Sequence, residues 1–366
     1  PIDKTTILYG SDNGGKTTHG DREISEKMIE IAAEINLVIR DCKGVLCGGP
    51  ADCEVHQGTD GRLYVIDLAR LFPPEAPNYK QFLNSTTLPE GLKRSIFYQL
   101  LRPEFVRKWE KPLCSDALSG WLSGHPKQAE YNQDVKEASI FLLEKVIPEF
   151  CLIADQWETV NTEHMADQRD VVTLLSQEIE NRMVEIHDHG INLRYLGLLY
   201  SKLSNRKIKW RIFCDMAARV IKNAIRARLR HHMREIGYVG EEPYKTDILE
   251  IFNLVLGHNP RSEEFWTSFH SEILPQVPSL KFAVTIKYGS GTLSDSQMDP
   301  KFDLRYAVGD VRILLTRVCK ITGVRLSQSA VEELCCRPNS FELVYPDLDT
   351  IGTIVKHMGL VEMSSV

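Results

Sequence analysis

The sequence predicts an α+β fold, with a mixed α/β N-terminal part followed by a predominantly helical middle and C-terminal region. Two observations support this fold class. Residues 1–80 are rich in glycine and in short β-prone runs, whereas apolar residues beyond residue 77 recur at helical spacing. The chain has 366 residues, 43% of them hydrophobic, which is enough for two or three domains. We expect one domain over residues 1–240, mixed α/β to about residue 80, and a mostly helical region over residues 241–366.

The N-terminal elements are predicted from apolar runs and the turns that separate them. Residues 6–9 are typical of a strand before a glycine-rich loop, and residues 23–38 carry apolar side chains at the spacing of a helix. Residues 63–67 form a strongly β-prone run after the turn indicated by Asp60 and Gly61. The opening region is therefore expected to contain both strands and a helix.

The remaining elements are mostly helices. Those before residue 240 share apolar side chains every three or four residues and cover residues 92–101, 134–146, 171–186, 193–203 and a basic segment that starts at 202 and ends at 237. After a break at residues 240–243, Thr246 and Ser262 are candidate N-caps of the next two helices. Two helices are expected there over residues 247–256 and 263–274, followed by a strand over residues 282–288. A polar loop over residues 290–300 and a last helix over residues 306–321 complete the prediction.

The cysteine content and the absence of targeting signals indicate a cytoplasmic protein. Nine cysteines, an odd number without a CxxC pair, argue against a disulfide framework and for a reducing compartment. No stretch approaches the roughly 18 consecutive apolar residues of a membrane helix. Residues 1–20 lack a basic segment followed by an apolar one, so they predict no secretory signal. We expect no integral membrane association.

Four residues come closest to a metal-binding cluster: Cys42, Cys47, Cys53 and His56. Their spacings of five, six and three residues lack the close ligand pair that is usual in zinc sites. Reduced thiols in and around a core are the favoured interpretation, and we expect no metal and no other cofactor.

Charge is concentrated in one segment of the chain. The net charge is -6, yet residues 202–234 contain eleven Lys and Arg against one acid, Asp215. That segment therefore carries +10, which leaves -16 for the remainder. One short segment is strongly cationic, and the rest of the chain is acidic.

Five of these basic residues fall on one face of the predicted helix. Arg219, Lys222, Arg226, Arg230 and Arg234 follow one another at spacings of three, four, four and four. At 1.5 Å per residue they form a row about 22 Å long. Like charges stacked in this way cost a few tenths of a kcal/mol per pair unless an anion or an acidic partner relieves them.

Three kinds of partner can neutralise this row: acids of the chain itself or solvent, RNA or another polyanion, and a membrane surface. We predict an RNA-binding surface, with Lys207 and Lys209 adding to it. Phosphate contacts would supply affinity with little reading of the bases. The remaining interpretation is a protein-interaction scaffold whose basic row docks an acidic partner.

An alternative from a different class is a nucleotide-binding phosphotransferase or NTPase. Gly15, Lys16 and Thr17 end a segment that satisfies the phosphate-loop pattern GxxxxGK[ST] after an apparent strand, and Asp67 could hold magnesium. In a phosphate loop, however, the Lys-Thr pair opens a helix, whereas residues 18–21 interrupt before the next helical pattern. We favour a protein that is not an enzyme and assign no catalytic residues.

The run that ends at Asp67 also resembles the strand of small-molecule and lipid kinases that delivers a metal-binding Asp. Leu68 and Ala69 follow it here, where kinases usually have Phe-Gly. We therefore expect Asp67 and Arg70 to be structural and to pair with each other or with nearby turns.

Two histidines and an acid, His187, Asp188 and His189, join two predicted helices and could serve acid-base or metal chemistry. Local physics explains them more simply. Gly190 suits a left-handed helix C-cap, and Asn192 can cap the next helix. We expect a structural role for this junction.

Three segments together resemble one family, the clustered-mitochondria (Clu) proteins. They are YGSDNGGKT at residues 9–17, DGRLYVIDLARLFPPE at residues 60–75 and HGINLRYLG at residues 189–197. The Clu-like resemblance covers roughly residues 1–235. Further on, FNLVLG, EEFW and RVCKITGVRL look like the helical region that follows in this family, which is named after a subunit of translation initiation factor three.

This resemblance implies a cytoplasmic, mRNA-associated protein that supports mitochondrial distribution and the expression of nuclear-encoded mitochondrial proteins. It implies RNA and the proteins of a ribonucleoprotein or translation assembly as partners. The tetratricopeptide array and the ubiquitin-like part that are usual in the family are not visible in this sequence.

Overall fold

The computed structural model describes residues 5–11, 13, 16–76, 99–162, 164–235, 242–257, 260–268, 310–336 and 341–351. The chain forms two compact units. The first contains Pro1–Phe150 and Glu185–Asn192, and the second contains Cys151–Val184 and Leu193–Val366. The predicted fold class is confirmed, because an N-terminal sheet region is followed by a mostly helical middle and C-terminus.

The sheet lies in the first unit, and its strands are short. The strands of this unit are β1 (Ile7–Gly10), β2 (His19–Gly20), β3 (Ile39–Asp41), β4 (Leu46–Gly48), β5 (Glu54–Gln57) and β6 (Leu63–Ile66). An antiparallel sheet has the order β2-β1-β5-β6, and β3 pairs with β4 as a separate hairpin. The predicted strands at residues 6–9 and 63–67 are confirmed. The predicted turn before β6 is also present, with Gly61 at a φ of +77°.

Helix α1 (Arg22–Glu34) packs its apolar face against the strands of the first unit. It begins where the side chain of Asp21 accepts a hydrogen bond from the amide of Ile24, at 3.2 Å. The predicted helix over residues 23–38 is too long at its C-terminal end. Asn36 adopts a φ of +61° and donates to the carbonyls of Val106 and Trp109 at 2.8 Å each. These tertiary contacts end the helix, and local spacing does not reveal them.

The buried core beneath α1 contains several of the cysteines. Tyr9, Cys47 and Cys53 are fully buried there, and Cys42 is nearly so. The ring nitrogens of His56 form hydrogen bonds with Thr6 Oγ1 at 3.0 Å and with Glu54 Oε2 at 2.9 Å, and not with the thiols. Within the described residues, no group of three or more His, Cys, Asp and Glu has the arrangement of a metal site.

Helices dominate from residue 103 onward. The next ones are α2 (Pro103–Lys108), α3 (Gln128–Phe141) and α4 (Ile147–Asp155). A π-helical stretch, Leu142–Val146, joins α3 to α4, so the predicted helix over residues 134–146 is confirmed within a longer one. Most of the predicted helix over residues 92–101 lies outside the described residues. Its end, at Leu100, instead forms a β-bridge to Pro74.

The helices that follow along the chain are α5 (Gln168–Asp188), α6 (Leu196–Lys202), α7 (Arg206–Glu235), α8 (Glu242–Leu256), α9 (Ser262–Ser268), α10 (Val311–Thr322) and α11 (Gln328–Cys336). Two short antiparallel strands, β7 (Arg325–Leu326) and β8 (Leu348–Thr350), accompany them. The strand and loop expected over residues 282–300 lie outside the described residues. In the described part of the chain, no helix combines the length and apolar composition that a membrane crossing requires.

Two helix starts differ from the prediction. Thr246 is not an N-cap, because α8 already begins at Glu242 and Thr246 lies inside it. The Pro243 that suggested a break is tolerated in a first helical turn, where no intrahelical amide bond is lost. The basic helix α7 begins at Arg206 rather than at 202, since Asn205 caps it by accepting the amide of Lys207 at 3.0 Å.

Helix α7 is the central helix of the second unit. It packs against α6, α8 and α10. Its buried side chains include Phe213, Val220, Ile225 and Leu229. Both α7 and α10 belong to the second unit, which begins at Cys151. The expected domain boundary near residue 240 stays a prediction.

Candidate functional site

Some basic residues of α7 are neutralised by acids of the second unit. Arg211 is buried, and its Nε and Nη2 atoms donate to Glu178 Oε2 at 3.1 and 2.9 Å. Arg228 donates from Nε to Asp247 Oδ1 at 2.7 Å and also pairs with Glu250. These arginines serve the packing of the unit, and neither belongs to the predicted row.

Arg219 is the member of the predicted row that has an acidic partner. Its Nε atom donates to Oδ2 of Asp215 at 2.6 Å, one turn earlier on α7. Asp215 is fully buried, and its other oxygen accepts from Arg317 on α10 at 2.8 Å. Arg219 therefore has a structural role in the second unit.

The other four residues of the row form what we call the cationic face: Lys222, Arg226, Arg230 and Arg234. None of them forms an ion pair with any residue that the structure describes. Lys222 and Arg226 are half-buried, and Arg230 and Arg234 are exposed. Burial lowers the pKa of Lys222, and the neighbouring charges of Arg219 and Arg226 lower it further. The face spans about 18 Å along the helix.

The exposed positions beside the cationic face carry little compensating charge. Asn223 and Ala227 are exposed and neutral. Glu235, the acid at the end of α7, lies 3.2 Å from the Nε2 atom of His231. The face thus keeps a net positive charge within the described part of α7.

Lys207 and Lys209 are less well placed than the sequence suggests. At about 100° per residue, Lys207 lies about 120° around α7 from Arg219, so it faces elsewhere. Lys209 is half-buried, with Nζ 5.4 Å from the ring centroid of Tyr200 on α6. It lies about 20 Å along the helix from Lys222. The structure brings four of the seven expected residues together in one patch.

The glycine-rich loop does not have the form of a phosphate loop in its described part. Lys16 and Thr17 lead into β2, and α1 starts only after Asp21, a carboxylate at its N-terminus. The amide of Thr17 donates to Asn13 Oδ1 at 3.0 Å, and its hydroxyl accepts from Asn13 Nδ2 at 2.6 Å. Gly15 lies outside the described residues. A helix that begins at the Lys-Thr pair, as in a phosphate loop, is missing among the described residues.

Asp67, the other residue of the nucleotide alternative, borders a cavity in the first unit. It follows β6, is exposed, and has a φ of +59°, in the left-handed region. The cavity has a volume of about 740 Å³, and its walls include Asp52, Arg70 and Asn192. The segments 60–75 and 189–197, two of the three that carry the family resemblance, therefore contribute to one cavity.

Arg70 has partners that its neighbours in sequence do not reveal. It pairs with Asp52, with an Nε to Oδ2 distance of 3.0 Å, and its Nη2 lies 3.4 Å from Oδ1 of the buried Asp116. Its guanidinium carbon is 5.4 Å from the ring centroid of Trp121. The predicted pairing of Arg70 with Asp67 is wrong, because Arg70 pairs with acids that are 18 and 46 residues away in the sequence.

The junction after α5 has the structural role that the sequence predicts at Gly190. This glycine has a φ of +77°, and a Cβ atom placed there would lie 2.5 Å from the Cβ of Phe105. The ring of His189 stacks edge-on against Phe150, with 4.9 Å between ring centroids. The contribution of Asn192 to the cavity could not be found from the sequence, because its neighbours there come from residues more than 80 positions away.

Comparison with known proteins confirms the resemblance that the motifs indicate. Residues 1–78 match the family described as Clustered mitochondria, and residues 180–287 match Translation initiation factor eIF3 subunit 135. No solved structure matches the chain.

Three relatives are each described as a clustered mitochondria protein homolog. The relative from Vanderwaltozyma polyspora is 26% identical over 210 residues, covering 54% of this chain and 15% of its own length. Those from Candida albicans and Candida glabrata are 24% and 26% identical, and cover 49% and 52% of this chain. The chain spans only 14–15% of the length of these relatives.

Proposed function

We propose that this chain is an RNA-binding module of a clustered-mitochondria-like protein, and that the cationic face of α7 is its contact surface. Lys222, Arg226, Arg230 and Arg234 would bind successive phosphates of a single strand. Neighbouring members of the four are about 6 Å apart along the helix axis. Contacts of this kind give affinity and orientation without reading sequence.

The observation that carries this proposal is the uncompensated charge around Lys222. Burial lowers its pKa most, and the like charges of Arg219 and Arg226 lower it further, against a smaller opposing effect of Asp215. Folding therefore holds these two like charges near a half-buried ammonium group. By contrast, Arg211 and Arg228 of the same helix form ion pairs with acids. A polyanion laid along the cationic face would relieve the repulsion and release counterions.

At the level of the whole protein, we propose a role in mitochondrial distribution in the cytoplasm, together with protein partners of a translation assembly. The name of the relatives supports the first part, and the match to a translation initiation factor subunit supports the second. The module would then act as a scaffold that joins RNA to these proteins. A face that docks an acidic protein instead of RNA is the competing outcome of the test below.

The test is a titration of labelled single-stranded RNA with the purified chain at several salt concentrations. The variant Arg226→Glu with Arg230→Glu reverses two charges of the cationic face. The matched control, Lys202→Glu with Arg325→Glu, changes the net charge equally at two exposed residues of the second unit that lie off this face. We expect the first variant to lose RNA affinity by more than tenfold and the control to lose far less.

A further inference from the structure

The first unit contains a cavity and a strand edge that the RNA-binding proposal does not use. We propose that together they form a docking site for an extended peptide of a partner protein, with a Lys or Arg side chain of that peptide entering the cavity beside Asp67. The peptide would pair with the edge strand β6 and place its basic side chain at the end of that strand. This site is independent of the cationic face.

The charges of the cavity favour a cation. Arg70 is neutralised by Asp52 and Asp116, as described above. Arg102 is held by Glu104, with Nε and Nη2 donating at 2.9 and 2.7 Å. The side chain of Asp67 forms no hydrogen bond or ion pair with any residue in the described ranges. After pairing, one exposed carboxylate remains at the cavity.

The walls of the cavity suit a long side chain with an apolar stem. Phe72, Leu101 and Pro103 line it beside the polar groups. Lys and Arg bury their methylene stems along apolar surface and keep the charged group near a polar partner. A volume of about 740 Å³ accommodates such a side chain. Asp67 would repel an anionic ligand. A purely apolar ligand would remove water from its carboxylate without supplying a polar partner.

The strand that leads to Asp67 lies at the edge of the described sheet and is open to solvent. Leu63, Tyr64 and Val65 of β6 are 47%, 41% and 45% exposed, and Leu68, just after Asp67, is 48% exposed. Edge strands are usually protected by charges, prolines or bulges. Residues Leu63–Ile66 include no charged residue and no proline. An extended peptide gains main-chain hydrogen bonds by adding to such an edge, and the exposed apolar side chains provide its packing surface.

The backbone at Asp67 allows a conservative test. A φ of +59° disfavours most residues, but Asn tolerates this region as well as Asp does. The variant Asp67→Asn thus removes the charge without adding backbone strain. Glu34→Gln is a matched control, because Glu34 is an exposed acid at the end of α1 in the same unit and does not line the cavity.

The experiment measures fluorescence anisotropy of rhodamine-labelled peptides added to the full chain. The main probe is Thr-Val-Thr-Arg-Thr-Val-Thr. A second probe has Glu in place of Arg, and a third has N-methyl groups on alternate amides, which prevents pairing with a strand edge. We expect saturable binding of the main probe, with at least about tenfold weaker binding of the other two. Asp67→Asn should weaken binding of the main probe by about tenfold, and Glu34→Gln should weaken it by less than about twofold.

Three results would overturn the proposal. They are no binding of the Arg probe at millimolar protein, equal binding of the Arg and Glu probes, or an Asp67→Asn protein that is folded by its thermal transition and binds as the unmodified chain does. If one of these results is obtained, weak binding of the N-methylated probe does not support the proposal, because the proposal depends on recognition of the cation.

Discussion

Arg219 donates to the buried carboxylate of Asp215 one turn earlier on α7, over 2.6 Å, although its spacing places it at the start of the cationic row. Asp215 is shared with Arg317 from α10, so one acid joins two helices of the second unit. The paired arginines of the basic segment therefore stabilise the unit. The proposed RNA contact is confined to the cationic face beyond Arg219.

Removing the shared acid should destabilise the second unit. In Asp215→Asn, Arg219 and the buried Arg317 lose their counter-charge, and breaking a buried pair of this kind costs about 3–5 kcal/mol. Denaturation in guanidinium would measure the loss of unfolding free energy. Asp349→Asn removes an exposed acid of the same unit and should cost less than about 0.5 kcal/mol. Equal losses in the two variants would contradict a structural role for Asp215.

Lys222→Met should stabilise the protein and weaken RNA binding at the same time. The folded pKa of Lys222 is below the usual 10.5, so its charge is unfavourable in the folded state. Below the folded pKa this destabilisation is fully present, and it is lost as the pH rises through the folded pKa towards 10.5. We therefore expect the gain in unfolding free energy to be largest near pH 7 and to shrink at alkaline pH. A variant that is less stable than the unmodified chain at pH 7 would contradict the expectation.

Gly190→Ala should be more harmful than an alanine at another left-handed glycine. Gly124 has a φ of +80° with nothing within 4 Å of an added Cβ, so Gly124→Ala measures the backbone penalty alone, about 1 kcal/mol. At Gly190 the Cβ would also lie 2.5 Å from Phe105. The added crowding brings the expected loss to about 2–4 kcal/mol. Similar losses in thermal or chemical unfolding would show that the close approach of Phe105 is unimportant.

Local regularities made part of this structure predictable. The spacing of Arg226, Arg230 and Arg234 placed them on one helix face, and the β-prone run at residues 63–67 became β6. The pairing of Asp215 with Arg317 and that of Arg70 with Asp116 were not predictable, since these partners are 102 and 46 residues apart in the sequence. The cavity escaped prediction for the same reason: Asp67 and Asn192 lie more than 100 positions apart, and no local pattern brings them together.

The central claim is that four side chains on α7 bind phosphates, and the salt dependence of RNA affinity tests it most directly. Four contacts to a single strand should give a slope of log affinity against log salt near about -2.8, at about 0.7 per phosphate. Reversing Arg226 and Arg230 should reduce the size of that slope by at least about 1.4, whereas reversing Lys202 and Arg325 should leave it nearly unchanged. An equal slope and affinity for all three proteins would show that the cationic face does not bind RNA.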